Sequence, residues 1–191
     1  EESSVAICHG GRTEFVYPPC EQSSIEFALE RLGADSLDDC HIQMSCSRFG
    51  KPLSEVMDRI LNDEGLEAFN EVCHAAAKIP DRDLDKFTAA VLYANANTSC
   101  EVCRIAESME LFEYAPGVRD ANNLGAWWLE NKLDCSLPYE IDEFFDYEGY
   151  GESIAENNDG EFVEGLGFVC MEEGYTLEDV LQDTDQGMGG M

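Results

Sequence analysis

Apolar residues recur at helical spacing in the middle of this chain and in shorter, mixed patterns towards both ends. Over residues 51–97 they form stripes that repeat every three to four positions, which is typical of amphipathic helices. We expect three short helices with polar connections, packed as a small antiparallel bundle. The three stripes are Leu53, Val56, Ile60 and Leu61; Leu66, Phe69, Cys73, Ala76 and Ala77; and Leu84, Phe87, Val91 and Leu92.

The first 50 residues predict a small α/β domain. Residues 14–17 and 41–46 have the composition and alternation of strands. Between them, Ser23 and Glu26 have the spacing of a capping box, in which each side chain binds the other residue's free backbone N–H. This box is expected to begin a helix that ends at Gly33.

The last part of the chain, residues 98–191, predicts a mixed α+β domain. Asp120 is positioned to cap a helix that runs to about Leu133. Another helix is expected around Pro138, with Ile141, Phe144 and Phe145 facing inward. The remaining expected elements are a strand at 112–114, a hairpin over 160–170 that turns at Glu164 and Gly165, a short helix capped by Thr176 and Asp179, and a frayed tail at 186–191.

These patterns predict the α+β class: a small α/β N-terminal unit, a helical middle and a mixed C-terminal unit with a β-hairpin. The predicted domains are residues 1–50, 51–97 and 98–191.

Charge separates the C-terminal part from the rest. The chain has 41 Asp and Glu residues against 11 Lys and Arg, a formal net charge of −30. Residues 111–191 alone hold 20 acidic and two basic residues. No basic stripe is present to neutralise phosphates, so direct nucleic-acid binding is not expected. No apolar run approaches the ~18–20 residues of a membrane span. The acidity predicts cationic partners, and the nine cysteines, expected to be reduced, suggest the cytoplasm.

The acidic surface has one specific functional interpretation. Like charges at helical spacing destabilise a fold, so this density suggests a function that compensates for the cost. Duplex DNA carries one charge per ~1.7 Å of axis, and 30 charges therefore correspond to about 50 Å of duplex. Such a surface could occupy a DNA-binding cleft, and a merely solvated acidic face is the alternative. Five carboxylates are expected on or beside the exposed face of one helix: Glu140, Asp142, Glu143, Asp146 and Glu148.

The nine cysteines and three histidines form no catalytic or metal motif that we recognise. Cys100 and Cys103 are the one CxxC pair, and structural zinc needs a second pair. The best calcium-loop window starts at Asp146 but has Asn157 where a bidentate Glu is required. We expect reduced cysteines, no enzyme activity and no cofactor or metal. A metal-buffering or thiol-redox protein built on Cys100 and Cys103 is the alternative.

The C-terminal third also contains an ordered series of motifs. A helix with paired aromatics at 124–130 is followed by the Leu137–Pro138 break, an acidic segment ending in Tyr150–Gly151, and a Gly-rich hairpin at 160–169. This series resembles the ArdA antirestriction proteins of conjugative plasmids, transposons and phages. Upstream, "SSIEFALERLGADSLDDCHIQM" is similar to the family's N-terminal helix and strand.

The resemblance implies an elongated, three-part homodimer that imitates bent B-form DNA. It would block the DNA-binding core of a host type I restriction–modification enzyme without catalysis. The family's antirestriction motif maps to residues 123–138 and implies a dimer interface there. Two adjacent tryptophans on one helix cannot both face the same core, which also suggests a second buried surface. The expected interface residues are Leu124, Trp127, Trp128 and Leu129.

The expected DNA-mimic surface is distributed, so no single substitution should abolish inhibition. Its residues are Asp120, Glu130, Asp134, Glu140, Asp142, Glu143, Asp146, Glu148, Glu152, Glu156, Asp159, Glu161 and Glu164. Glu152 replaces an Arg that is frequent in the family, and residues 45–49 lack the usual acidic-aromatic patch. A changed target is therefore the alternative: an acidic inhibitor or chaperone of another basic DNA-binding protein, such as a CRISPR nuclease, a regulator or a histone-like protein.

Overall fold

The computed structural model describes residues 3–182, and within them the chain has the predicted α+β class. The described part contains nine α-helices and two three-stranded antiparallel sheets. It groups into two compact units, one of residues 3–81 and 96–107 and the other of residues 82–95 and 108–182. The tail expected at 186–191 lies outside the described residues.

The first unit is built on a sheet with strand order β2-β1-β3. Val5 at the centre lies opposite Val16 on one neighbour and Met44 on the other, and Val5 is completely buried. The strand β1 is a continuous apolar run and is not among the predicted strands. The elements of this unit are β1 (Ser4–His9), β2 (Arg12–Val16), α1 (Gln22–Leu32), β3 (His41–Cys46), α2 (Lys51–Asp63), α3 (Gly65–Ala76) and α5 (Ser99–Glu107).

The end of α1 is as predicted and its beginning is not. Gly33 adopts the left-handed conformation, with φ 70°, and its N–H donates to the carbonyl of Glu30 at 3.1 Å. The helix begins at Gln22 with Glu21 as N-cap, and no side chain caps it. The predicted capping box of Ser23 and Glu26 is therefore wrong, because Ser23 already lies inside the first helical turn.

Helices α2, α3 and α5 pack together in the first unit. The junction between α2 and α3 is tied to the start of α5 by Glu64, whose carboxylate accepts from the backbone N–H of Ser99 at 2.8 Å and from its hydroxyl at 2.6 Å. The first two predicted helical stripes are confirmed, except that Ala77 is exposed.

The second unit is built on a sheet with strand order β4-β6-β5, whose β5–β6 hairpin is the predicted one. Helix α4 packs against this sheet, and the hydroxyl of Tyr93 donates to the carbonyl of Asp159 at 2.9 Å. The predicted capping box of Thr176 and Asp179 is confirmed. The elements are α4 (Leu84–Tyr93), β4 (Phe112–Pro116), α6 (Ala121–Asn131), α7 (Tyr139–Asp142), α8 (Tyr147–Asn157), β5 (Glu161–Val163), β6 (Gly167–Met171) and α9 (Leu177–Leu181).

Helices α4 and α5 lie on either side of residue 97, where the sequence predicts a domain border, and they belong to different units. The helix α4 packs with the C-terminal sheet, whereas α5 packs with α3. The division into three domains stays a prediction. None of the helices within residues 3–182 is both long enough and apolar enough to cross a membrane.

Candidate interaction surface

Helices α6 and α8 form the framework of the acidic region, and they cross in close backbone contact. A Cβ placed on Gly151 would lie 1.8 Å from the carbonyl oxygen of Ala121, and one on Gly125 would lie 2.2 Å from that of Tyr147. Any side chain at either position would therefore push the helices apart. The crossing fixes α8, with its acidic residues, against the helix that carries the tryptophans.

Two of the predicted surface carboxylates also hold this framework in place. The side chain of Asp120 accepts from the backbone N–H of Asn123 at 2.8 Å and caps α6, as predicted. Asp146 accepts from the backbone N–H of Gly149 at 2.9 Å and caps α8. Each carboxylate satisfies a backbone donor that the helix itself leaves unpaired.

The predicted dimer residues divide into buried and half-buried positions. Leu124 is completely buried and Leu129 nearly so, so these leucines belong to the hydrophobic core of their own unit. Trp127 and Trp128 are half-buried, with ring centroids 6.1 Å apart. Both pack against the cluster around Leu124 and Phe168. The inference that adjacent tryptophans cannot share one core is therefore wrong, because both rings pack against the same cluster.

All thirteen predicted mimic residues are exposed. Three of them, Glu148, Glu152 and Glu156, follow one another at i, i+4 spacing along α8, so their side chains lie on one face. Within residues 3–182, none of the thirteen takes part in an ion pair. The others lie at the ends of α6 (Asp120, Glu130, Asp134), in and after α7 (Glu140, Asp142, Glu143), at the N-cap of α8 (Asp146), after α8 (Asp159) and on the β5–β6 hairpin (Glu161, Glu164).

The five carboxylates expected on or beside one helix are divided between α7, α8 and the caps that join them. The first, α7, is a single turn of four residues, and α8 begins only at Tyr147. The hydroxyl of Tyr147 donates a hydrogen bond to Asp142. The hydroxyl of Tyr139 donates one to Glu143 at 3.2 Å. The tyrosines thus help to position these two carboxylates.

The apolar side chains of this segment also differ from the prediction. Phe145 is half-buried against Tyr147 and Tyr150, with ring centroids 4.9 and 5.7 Å away. However, Ile141 is 52% exposed and Phe144 is 84% exposed, so the inward orientation expected for them is wrong. A single helical turn presents too short a face to bury all three residues. Leu133 and Tyr139 are exposed as well, so apolar side chains accompany the carboxylates from 133 to 144.

Glu113, Glu172 and Lys132 form a charge cluster near the end of α6 that was not predicted from the sequence. Lys132 makes an ion pair with Glu113 on β4, and its ammonium lies 5.8 Å from the ring centroid of Trp128. Burial opposes ionisation of Glu113, but hydrogen bonds from Glu172 and Lys132 outweigh it and lower its pKa. The hydrogen bond to Glu113 raises the pKa of Glu172. Glu113 and Lys132 are 19 positions apart, so only the fold brings them together.

The nine cysteines all lie within the part of the chain that the structure describes. All nine are free thiols, with Cys100 exposed and Cys103 half-buried on α5. Desolvation by burial raises the pKa of Cys103 to about 11, which disfavours the thiolate that metals and disulfide exchange require. Within residues 3–182, no group of three or more His, Cys, Asp or Glu side chains is arranged to hold a metal ion.

No protein-family model matches this chain. No curated protein matches it either.

Proposed function

We propose that this protein is a non-catalytic DNA mimic that inhibits a type I restriction–modification enzyme by occupying its DNA-binding cleft. The observation that carries the proposal is the set of thirteen exposed carboxylates around α6, α7, α8 and the hairpin, none of which is in an ion pair within residues 3–182. An unneutralised surface of this kind attracts the Lys and Arg side chains that contact phosphates in such a cleft.

The spacing of the carboxylates indicates that phosphates are imitated by charges on several elements together and not by one charged helix. Carboxylates four residues apart are separated by ~6 Å along a helix axis, as for Glu148, Glu152 and Glu156. One DNA strand carries a charge per ~3.4 Å of axis, so α8 alone is too sparsely charged. The charges on α7, on the helix caps and on the hairpin raise the density around it.

The proposed cellular setting rests on the resemblance of the sequence to the ArdA antirestriction proteins. The protein would be carried by a mobile genetic element and act in the cytoplasm of a bacterial host, as a homodimer that neither binds nucleic acid directly nor uses a cofactor. The half-buried rings of Trp127 and Trp128 are the parts of the expected interface that reach the surface.

A competition experiment tests the proposal. The purified protein is titrated into a type I methyltransferase core bound to a labelled duplex, at 50 and 200 mM salt. We expect displacement of the duplex that weakens steeply at the higher salt, since electrostatic association is screened. Failure to displace the duplex by a correctly folded protein at either salt concentration would contradict this target.

A matched pair of triple variants then locates the surface. One variant carries Glu148→Gln, Glu152→Gln and Glu156→Gln on α8, and the control carries Glu26→Gln, Glu30→Gln and Glu71→Gln on exposed positions of the first unit. Both remove three charges. The proposal predicts a loss of inhibition for the α8 variant alone, and equal losses would show that only the net charge matters.

A second function, an acidic inhibitor or chaperone of another basic DNA-binding protein, is favoured by one observation. Ile141 and Phe144 are exposed among the carboxylates, and a pure imitation of phosphates needs no apolar groups. A chaperone would bind basic proteins whether or not they recognise DNA, and its binding would not be competitive with a duplex.

A further inference from the structure

The first unit contains an open cavity of about 450 Å³, distant in sequence from the acidic C-terminal region. One wall is a single face of α1, formed by Gln22, Ile25 and Leu29. The opposite walls are the turn at 36–38, Ile42 of β3 and the beginning of α3 at 64–67. A volume in this range is typical of sites that take small molecules.

About half of the cavity lining is apolar, and the rest is polar or charged. Ile25 and Leu66 are completely or almost completely buried beneath it. Leu29, Leu37 and Ile42 also line it but are only half-buried, so their aliphatic side chains still have surface in contact with water. Covering that surface with an apolar group would be favourable, at ~25 cal/mol per Å² removed from water.

The charged groups at the cavity are all acidic. Among residues 3–182, the charged residues that line the cavity are Asp38, Glu64 and Glu67, and none of them is Lys, Arg or His. Glu64 is already bound to Ser99. Asp38 and Glu67 are exposed, and among residues 3–182 neither side chain has a hydrogen-bond or ion-pair partner. The cavity therefore combines an apolar patch formed by Leu29, Leu37 and Ile42 with two carboxylates free to accept a charged donor.

From this combination we infer that the first unit binds a small organic cation, an amine or guanidine with an apolar body. The body would lie on Leu29, Leu37 and Ile42, and the cationic head would donate to Asp38 and Glu67. Charge-assisted hydrogen bonds of this kind are stronger than neutral ones, which provides discrimination against a neutral molecule of the same shape. The net charge of −30 adds a long-range attraction for the cation and repels anions.

The test uses the full chain and three probes of similar size: phenethylamine, its neutral counterpart 2-phenylethanol, and putrescine, which has charge without a ring. Backbone amide shifts are followed by NMR in 150 mM salt. We expect saturable shifts for phenethylamine at 22–42 and 64–67, with at least about tenfold weaker binding of the alcohol and of putrescine. Shifts spread over the acidic surface without saturation, or equal binding of the alcohol, would overturn the inference.

Matched variants separate the cavity from the general negative field. Asp38→Asn with Glu67→Gln should weaken phenethylamine binding about tenfold or more. The control, Glu26→Gln with Glu71→Gln, removes the same charge from exposed positions of α1 and α3 outside the cavity and should change binding less than about twofold. Equal weakening by both pairs would contradict a site at this cavity. Binding only to an apolar peptide that carries Lys, and not to phenethylamine, would assign the cavity to a protein partner and overturn the small-molecule inference.

Discussion

Gly125 on α6 and Gly151 on α8 face each other where the two helices cross, and neither position has room for a Cβ. The Cβ of an alanine at Gly151 would lie 1.8 Å from the carbonyl oxygen of Ala121 and 2.9 Å from the backbone nitrogen of Gly125 itself. Because the obstructing atoms belong to the backbone, no side-chain rotation relieves the overlap. The crossing positions both the tryptophan pair and the acidic face of α8.

Gly151→Ala should therefore lower the free energy of unfolding by about 1–3 kcal/mol, the range for overpacking a close contact. Urea unfolding followed by tryptophan fluorescence measures the change. Gly50→Ala is the control, because nothing lies within 4 Å of the added Cβ and only the weaker N-cap of α2, at about 1 kcal/mol or less, is expected to lower its stability. Equal effects of the two substitutions would show that the crossing is looser than described.

The helix caps allow the structural role of a carboxylate to be separated from its charge. Asp146→Ala should destabilise the protein by about 1 kcal/mol, because the N–H of Gly149 loses its acceptor. Asp146→Asn keeps an acceptor and should remain near wild-type stability. Thermal unfolding at neutral pH compares the two variants. If both were equally destabilised, the charge would matter more than the cap.

Inhibition should tolerate the loss of any one charge on α8. Glu152→Gln removes one of thirteen exposed carboxylates, and we expect less than about a threefold change in inhibitory concentration. The measurement is the duplex-displacement titration, with the α8 triple variant in parallel. A single amide substitution that abolishes inhibition while the fold persists would contradict a distributed mimic.

Two neighbouring phenylalanines should behave oppositely. Phe144 is 84% exposed, so Phe144→Ala should change stability by less than about 0.5 kcal/mol. Phe145 has edge contacts with Tyr147 and Tyr150, and Phe145→Ala should destabilise the fold measurably. Chemical denaturation of both variants tests this. If Phe144→Ala also weakens target binding, the exposed ring contributes an apolar contact beyond phosphate imitation.

The stability of the second unit should depend on pH through Glu113 and Glu172. The pKa of Glu172 is raised above its ordinary value of 4.5, so its contribution is full below 4.5 and is lost as the pH rises through the raised pKa. The pKa of Glu113 is lowered, so its contribution is present above 4.5 and is lost as the pH falls through the lowered pKa. The stability that Glu113 and Glu172 contribute is therefore largest near pH 4.5, the ordinary pKa of a glutamate.

Glu172→Gln should remove the loss on the alkaline side, because an amide can donate to Glu113 without titrating. Unfolding midpoints measured from pH 3 to pH 7 provide the comparison. Glu173→Gln is the control, since it removes the same charge from an exposed neighbour. An unchanged pH profile in Glu172→Gln would mean that the two carboxyl groups do not share a proton.

Local signals in the sequence predicted those elements whose ends are determined by their own residues. The Gly33 stop, the Asp120 cap and the box of Thr176 and Asp179 each depend on neighbours within four positions, and all three are confirmed. The predicted box at Ser23 is wrong for a related reason, because the helix has Glu21 as its N-cap and so begins two residues before the predicted start.

The sequence by itself determined the α+β class, the exposed acidity of residues 120–164 and the order of most helices and strands, because periodicity and charge are local properties of the chain. Only the tertiary structure decided which surfaces those elements present. The burial of Leu124 and the pairing of Lys132 with Glu113 each depend on a partner distant in sequence. The crossing at Gly125 and Gly151 does too, since a glycine permits close backbone approach but does not specify which backbone approaches it.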